Sequence, residues 1–177
     1  MKSVARRIKD LDRALFRAIF RFKWPPFTSV MRVFTIIGAA GFAWGVTAGV
    51  AFLFTGLEPL SLIVPWGAVA GSWTVTETMK HYFDRARPFM SDTEISPLIK
   101  TPSSSSFPSG HSATAAAGAI TLSAAYPVFT PIFLLTGLLI VLSRVYLGVH
   151  YPFDVLAGVL IGTVTAGLFL VAAGLVA

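Results

Sequence analysis

The chain has 177 residues, of which 55% are hydrophobic and 12% are charged, and its mean hydropathy is +0.75. This composition suits a single domain, residues 1–177, and is too apolar for an ordinary soluble protein, so it indicates an integral membrane protein. Cysteine is absent, which excludes disulfides and cysteine-ligated metals. The net charge of +6 does not indicate nucleic acid, because nine of the 14 Lys/Arg lie between Lys2 and Arg32, beside apolar segments, where anionic lipids are the expected partner.

The first predicted element is an amphipathic helix over residues 3–23 that lies in the membrane interface. Its apolar residues recur every three or four positions on one helical face, and they are Val4, Ile8, Leu11, Leu15, Ile19 and Phe22. Basic residues occupy much of the remaining surface, so the helix is too charged to span a bilayer. The alternative is a helix that packs on the protein's own surface. The sequence Trp24-Pro25-Pro26 ends the helix.

Five apolar segments follow, and each is predicted to be a transmembrane helix, which takes about 20 residues. They are residues 33–57, 60–79, 110–127, 131–147 and 154–176. The third and fourth form a helical hairpin, because one helix over both would extend about 50 Å, and Pro127 and Pro131 supply a break. Gly158 and Gly162 have the spacing that permits close helix contact in lipid. The predicted fold class is therefore all-α, a membrane helical bundle.

Polar and ionisable residues gather in three clusters at the ends of these segments. Residues 80–109 are predicted to form a loop, and its length indicates function. With five crossings, all three clusters lie at the same face of the membrane, so they can build a single site. The candidate site residues are Lys80 and Arg87, then Ser109, Gly110 and His111, and then Arg144, His150 and Asp154.

These residue types suit a phosphoryl group. Its several anionic oxygens can be bound by the guanidinium groups of Arg87 and Arg144 and by the ammonium of Lys80. Backbone N–H groups at Ser109 and Gly110 are expected to face the anion at the start of a helix. One histidine attacks phosphorus while the other protonates the leaving oxygen, and the residues alone leave open which histidine does which.

Asp154 lies four residues after His150 and is expected to accept a hydrogen bond from one ring nitrogen, which exposes the other nitrogen as a nucleophile. Asp154 can also cap the last helix. A metal held by His111, His150 and Asp154 is disfavoured, because the neighbouring lysine and arginine side chains repel a cation. We therefore expect no metal and no cofactor.

The three clusters together resemble the signature of the type 2 phosphatidic acid phosphatases. The matching sequences are Lys80-x6-Arg87-Pro88, Pro108-Ser109-Gly110-His111 and Ser143-Arg144-x5-His150-x3-Asp154. Every position of the signature is filled in order. That superfamily also includes glucose-6-phosphatases and vanadium haloperoxidases, and the helical hairpin and last span agree with its core bundle.

The resemblance implies metal-independent hydrolysis through a phosphohistidine. It makes His150 the nucleophile, Asp154 its orienting partner and His111 the general acid. The residues that it assigns to phosphate binding are Lys80, Arg87, Ser109, Gly110 and Arg144. It also implies a lipid substrate such as phosphatidic acid, phosphatidylglycerol phosphate or a polyprenyl phosphate or pyrophosphate.

The charge distribution predicts the side on which this site lies. All 14 Lys/Arg fall at the face that carries the site, whereas the opposite face has Glu58 and no lysine or arginine. The positive-inside rule therefore predicts a cell (inner) membrane protein whose site faces the cytoplasm. Two other functions stay open, which are phosphotransfer from lipid to lipid and non-catalytic binding or transport of anionic lipids. The oligomeric state is open as well.

Overall fold

The computed structural model describes residues 2–54 and 58–175, and this part of the chain contains helices but no strand. Two short 3₁₀ helices, Ala39–Gly41 and Pro127–Phe129, connect longer ones. The α-helices in chain order are α1 (Lys2–Arg21), α2 (Pro25–Ile37), α3 (Phe42–Phe54), α4 (Pro59–Tyr82), α5 (Pro88–Ser91), α6 (Gly110–Ala125), α7 (Thr130–Tyr146) and α8 (Pro152–Ala172). The predicted all-α class is confirmed.

Helix α6 is the centre of the bundle and packs against α4, α7 and α8. Its sequence is rich in alanine, so neighbouring backbones approach it closely. The predicted close contact through Gly158 and Gly162 is confirmed, because a Cβ at either position would collide with the backbone of α6 at Ser109 or Ala113. This packing brings the beginning of α8 beside the beginning of α6, where the candidate residues lie.

The predicted hairpin is confirmed, with α6 and α7 joined through Pro127–Phe129. The first predicted span does not form the single helix that was expected. Residues 33–57 are not one straight helix, because α2 already begins at Pro25 and the pair of α2 with Ala39–Phe54 is bent by 47°. The bend lies where Ala40 and Gly41 have positive φ angles of 50° and 73°. A left-handed backbone interrupts the helical hydrogen bonds, and Gly41 adopts it without a side chain that would strike Val69.

By length and composition, two stretches of the described residues can cross a membrane, Pro127–Tyr146 and Pro152–Ala172. The bent pair of α2 and α3 is a third if it forms one span. Helix α6 has 16 residues, fewer than the roughly 20 that a crossing takes, and the second half of α4 carries several threonines. The count of five crossings therefore stays a prediction.

Helix α1 both packs on the bundle and leaves its apolar face open. Asp12 and Phe16 on one side are buried against the rest of the protein, where Phe16 stacks on Phe20 and meets the edge of Tyr151. The predicted apolar stripe lies on another side and is exposed at every position, namely Val4, Ile8, Leu11, Leu15, Ile19 and Phe22. The two alternatives for this helix are therefore compatible, and its place in a membrane interface stays a prediction.

Candidate active site

A cavity of about 190 Å³ collects residues from all three sequence clusters. The end of α4, the residue before α5, the start of α6, the end of α7 and the loop between α7 and α8 each contribute to it. The predicted site residues that line the cavity are Lys80, Arg87, Gly110, His111, Arg144 and His150. The structure therefore brings residues of all three clusters together around one cavity.

His150 is buried, and its two ring nitrogens have different neighbours. Nδ1 lies 2.7 Å from the backbone oxygen of Ser106, and Nε2 lies 3.2 Å from a guanidinium nitrogen of Arg87. A carbonyl oxygen only accepts and a guanidinium N–H only donates, so both contacts require a proton on Nδ1 and a lone pair on Nε2. Burial and the nearby cations of Arg144, Arg87 and Lys80 lower the pKa of His150 well below its ordinary value of 6.5. The ring is therefore neutral at pH 7.

Asp154 does not contact His150 in the way we expected. Its carboxylate lies 3.7 Å from Nδ1 of His150, which is too far for a hydrogen bond, and the carbonyl of Ser106 takes that place. Asp154 instead accepts hydrogen bonds at 2.5 Å from the hydroxyl of Ser106 and at 2.9 Å from the backbone N–H of Tyr151. The second contact confirms that it caps α8. Asp154 thus fixes the side chain of Ser106, whose backbone oxygen in turn accepts from the ring of His150.

Arg87 is 2% exposed and is fixed mainly by backbone carbonyls. It donates to the oxygens of Ser104 and Val149 at 2.8 Å and of Ser105 at 3.1 Å. Burial lowers the pKa of Arg87 to about 10, so the group keeps its charge at pH 7. The side chain therefore orders residues 104–105 around the cavity while it presents a cation to it.

Arg144 is buried at the end of α7 and donates to the hydroxyl of Thr35 on α2. Its Nε has no hydrogen-bond partner among the described residues. A buried guanidinium N–H that lacks an acceptor is costly, and an anion in the cavity would supply one. This unsatisfied donor is consistent with the predicted phosphate-binding role of Arg144.

Lys80 is not in a loop as predicted, because α4 continues to Tyr82 and places it in the last helical turn. Its ammonium lies 2.6 Å from a carboxylate oxygen of Glu77, which also lines the cavity. Gly110 begins α6 opposite this pair, and a Cβ there would lie 3.7 Å from the Lys80 nitrogen. His111 follows Gly110 on the cavity wall.

Ser109 is in a different environment from the predicted one. Its backbone N–H donates to the backbone oxygen of Asp154 at 3.0 Å, and its hydroxyl accepts from Ser112 at 2.9 Å. The residue is fully buried and does not line the cavity. The expectation that the Ser109 N–H donates to an anion is therefore wrong, because this N–H donates to Asp154 and links the start of α6 to α8.

Four residues of the site were not identified as such from the sequence, namely Thr35, Glu77, Arg85 and Ser106. Arg85 bridges Asp154 and Asp12, and Glu77 pairs with Lys80. Ser106 is the last of four consecutive serines. A signal for Arg85 was its position two residues before Arg87, which places both side chains on one extended loop.

The chain matches known proteins over most of its length. Residues 61–175 match the PAP2 superfamily. Phosphatidylglycerophosphatase B of Bacillus subtilis is 30% identical over a match that covers 88% of this chain and 79% of that protein. An undecaprenyl-diphosphatase of Sulfolobus acidocaldarius is 38% identical over 49% of this chain and 43% of that protein.

A solved structure agrees with these matches. The crystal structure of a transmembrane PAP2-type phosphatidylglycerolphosphate phosphatase from Bacillus subtilis has a TM-score of 0.78 to this chain at 27% identity. The likeness covers 96% of this chain and 88% of the other. With its apolar helices and with the three clusters joined around one cavity, the chain is a membrane protein that belongs to the PAP2 superfamily.

Proposed function

We propose that this protein is a membrane lipid phosphatase that cleaves a phosphomonoester or a pyrophosphate through a phosphohistidine at His150. The observation that carries the proposal is the pair of contacts made by the two nitrogens of that ring. Ser106 and Arg87 both require Nδ1 to hold the proton and Nε2 to hold a lone pair, and Nε2 lies in a cavity lined by cations. A neutral imidazole becomes a nucleophile when the Arg87 N–H turns from its lone pair to a phosphoryl oxygen, and the cations attract that phosphoryl group.

In the first step, Nε2 of His150 attacks phosphorus while the bond from phosphorus to the leaving oxygen breaks. His111 lies on the same cavity wall, where the bound phosphate anion favours its protonated form, and this imidazolium gives its proton to the leaving oxygen. The N–H at Nδ1 stays on the Ser106 carbonyl, which stabilises the positive charge that the ring gains. Lys80, Arg87 and Arg144 offset the charge on the phosphoryl oxygens.

In the second step, water attacks phosphorus and the electrons of the bond from nitrogen to phosphorus return to Nε2. His111, now neutral, accepts the proton of that water. The products are inorganic phosphate and the lipid alcohol, or inorganic phosphate and the lipid monophosphate when the substrate is a pyrophosphate, and both histidines regain their starting states. Cations already line the cavity and would repel a metal ion, which supports chemistry without a metal.

A lipid substrate is supported by an apolar groove of about 860 Å³ between α3 and α4. The groove and the cavity share Ala40 and Trp73, so a headgroup in the cavity can keep its chain in the groove. The relatives are named for phosphatidylglycerol phosphate and undecaprenyl diphosphate. Both are anionic headgroups on long apolar chains, and we propose this class as the substrate.

We propose that the site faces the cytoplasm of an inner membrane. The basic N-terminal segment contacts the site end of the bundle, which supports this side. Lys23 donates to the backbone oxygen of Tyr146 at 2.8 Å, and Arg32 donates to that of Leu98 at 3.0 Å. Since the N-terminal lysines and arginines gather at the end that carries the site, the positive-inside rule predicts the cytoplasmic side.

The proposal is tested by phosphate release from a panel of lipid phosphates and pyrophosphates with the purified protein. We expect His150→Ala to abolish release, and His111→Ala to reduce it by about 10²- to 10⁴-fold, the usual contribution of a general acid. His81→Ala is the matched control, since His81 is the third histidine and is exposed at the end of α4.

Two further measurements complete the test. Protein incubated with labelled phosphate substrate and quenched in alkaline detergent should carry a label that is stable in base and lost in acid, and His150→Ala should carry none. Activity should survive EDTA. Full turnover by His150→Ala would refute the nucleophile, and loss of activity in EDTA would show that a metal takes part. Transfer of phosphate to an added acceptor lipid in preference to water would make the protein a phosphotransferase.

A further inference from the structure

One buried carboxylate connects the N-terminal helix to the active site. Asp12 is completely buried, whereas Asp10, the other acidic residue of α1, is exposed. One oxygen of Asp12 accepts a hydrogen bond at 2.9 Å from the backbone N–H of Phe153, in the first turn of α8. Asp12 therefore satisfies one of the N–H groups that a helix leaves free at its beginning.

The other oxygen of Asp12 holds Arg85. The guanidinium of Arg85 lies 2.5 Å from Asp12 through one nitrogen and 2.6 Å from Asp154 through another. Its plane also lies over the ring of Tyr151, with 4.5 Å to the ring centroid. Two carboxylates and an aromatic ring thus fix the orientation of Arg85. Asp12 belongs to α1, whereas Tyr151 and Asp154 lie at the beginning of α8, so Arg85 contacts both helices where they meet.

The contacts continue from Asp154 to the nucleophile. The second oxygen of Asp154 accepts from the hydroxyl of Ser106 at 2.5 Å, and the backbone oxygen of Ser106 accepts from Nδ1 of His150 at 2.7 Å. An unbroken series of polar contacts therefore runs from Asp12 through Arg85, Asp154 and Ser106 to His150. Asp12, Asp154, Ser106 and His150 are buried, so water does not replace these partners readily.

We propose that Asp12 is a positioning residue of the active site, which acts through Arg85 on the Asp154 carboxylate and thereby on the ring of His150. The inference rests on the proposed role of His150 as nucleophile. Arg85 is 29% exposed, so without Asp12 it can turn to water or bind Asp154 with both nitrogens. Either movement changes the positions of the Asp154 carboxylate and of Ser106. Helix α1, which carries the apolar stripe, therefore contributes to the geometry of the active site through Asp12.

A simpler role for Asp12 is to attach α1 to the bundle. The structure provides a matched control for that role, because Arg17 of α1 pairs with Asp92 at 2.9 Å on the same side of the protein. Asp92 attaches α1 but its ion pair does not involve Asp154 or Ser106. Asp10→Asn serves as a second control, with the same chemical change on an exposed position of the same helix.

The experiment compares Asp12→Asn with Asp92→Asn and Asp10→Asn in the full-length protein, with release of phosphate from a dispersed lipid phosphate. The asparagine keeps an oxygen for the Phe153 N–H but presents N–H groups to Arg85. We expect kcat to fall about tenfold with KM changed less than twofold, because Asp12 touches no substrate, whereas both controls keep the kcat of the unaltered protein.

The histidine rings supply a readout that attachment alone would not change. In ¹⁵N spectra of protein labelled at histidine, we expect His150 to show a proton on Nδ1, and Asp12→Asn to show a mixture of tautomers while Asp92→Asn does not. Arg85→Lys is the second variant if Asp12→Asn does not fold, since one ammonium cannot bridge two carboxylates as a guanidinium does, and it should lose the same factor in kcat.

A double variant completes the test. Arg85→Lys combined with Asp12→Asn should be no slower than Arg85→Lys alone, because both changes break the same series of contacts. Unchanged kcat in Asp12→Asn, or an equal loss in Asp92→Asn, would overturn the inference. Failure of the proposed function is a separate outcome, since the unaltered protein would then release no phosphate or His150→Ala would remain active.

Discussion

The single residue on which this site depends most is His150, because its surroundings select both its charge and its tautomer. The carbonyl of Ser106 and the guanidinium of Arg87 fix the proton on Nδ1. Burial and the adjacent cations keep the ring neutral. A histidine with ordinary surroundings would be partly charged near pH 6.5 and would lose its lone pair.

The first prediction concerns the dependence of kcat/KM on pH. Because the pKa of His150 is lowered, the neutral and nucleophilic ring persists below pH 6.5 and is lost only as the pH falls through the lowered pKa. The acid limb of the profile should therefore lie well below pH 6.5. Lys80→Met removes one of the cations that lower this pKa, so its acid limb should move upward.

The measurement is phosphate release between about pH 4 and 8 for both proteins with one substrate. The ionisation of the substrate is common to both, so a difference in the limb reports the enzyme. Lys100→Met is the control, because Lys100 is exposed and does not line the cavity, and its profile should match that of the unaltered protein. An acid limb that does not move in Lys80→Met would contradict the assignment of His150.

At the scale of elements, the bend between α2 and α3 lies where the site meets the apolar groove. Ala40, in the bend, lines both the groove and the cavity that holds the candidate site residues. Trp66 and Trp73 of α4 form the opposite wall, and Trp66 donates to the backbone oxygen of Gly45 at 3.0 Å. The arrangement gives a long chain a place in the groove while its headgroup occupies the adjacent cavity.

Filling the groove should therefore weaken the binding of long-chain lipids and leave the binding of short-chain substrates unchanged. Gly49 lines the groove and has no neighbour within 4 Å of an added Cβ, so Gly49→Phe fits the fold and occupies the space. We expect KM for a long-chain lipid phosphate to rise about tenfold, while KM for a short-chain, water-soluble phosphate stays the same.

Gly167→Phe on α8 is the matched control, because Gly167 also has no neighbour within 4 Å of an added Cβ but lies outside the groove. Steady-state kinetics on the two substrates with both variants makes the comparison. An equal rise of KM for the short and the long substrate in Gly49→Phe would show that the groove does not hold the chain.

At the scale of the whole molecule, the two ends of the bundle differ in charge. Helix α4 runs about 36 Å from Glu58 to the site, and lysine and arginine are confined to the segments that meet the site end. The N-terminal helix, the segment between α4 and α6, and the basic residues thus share one end. By the positive-inside rule, this asymmetry predicts that the site end lies on the cytoplasmic side of the membrane.

Labelling of single cysteines in intact cells checks this orientation, and the natural chain has no cysteine to interfere. Asp10→Cys places a thiol at the site end, and Val128→Cys places one at the other end, where Val128 is 86% exposed. An impermeant reagent should label Val128→Cys in intact cells and Asp10→Cys only after the cells are opened. The reverse pattern would place the site outside.

The sequence by itself determined the helical class, the hairpin of α6 and α7, and six of the residues that line the cavity. These features depend on local information, namely apolar length, proline positions and residue spacing along the chain. The bend at Ala40 was missed because the whole segment is apolar, and apolar length does not reveal a left-handed residue.

Only the tertiary structure decided which polar group each site residue contacts. Ser109 was expected to bind an anion, but the packing of α8 on α6 puts the Asp154 carbonyl on its N–H. Asp154 was expected beside Nδ1 of His150, but the loop places Ser106 between them. Arg85 meets Asp12 across 73 positions of sequence. A hydrogen bond extends only about 3 Å, so its partner depends on how distant segments pack rather than on their spacing along the chain.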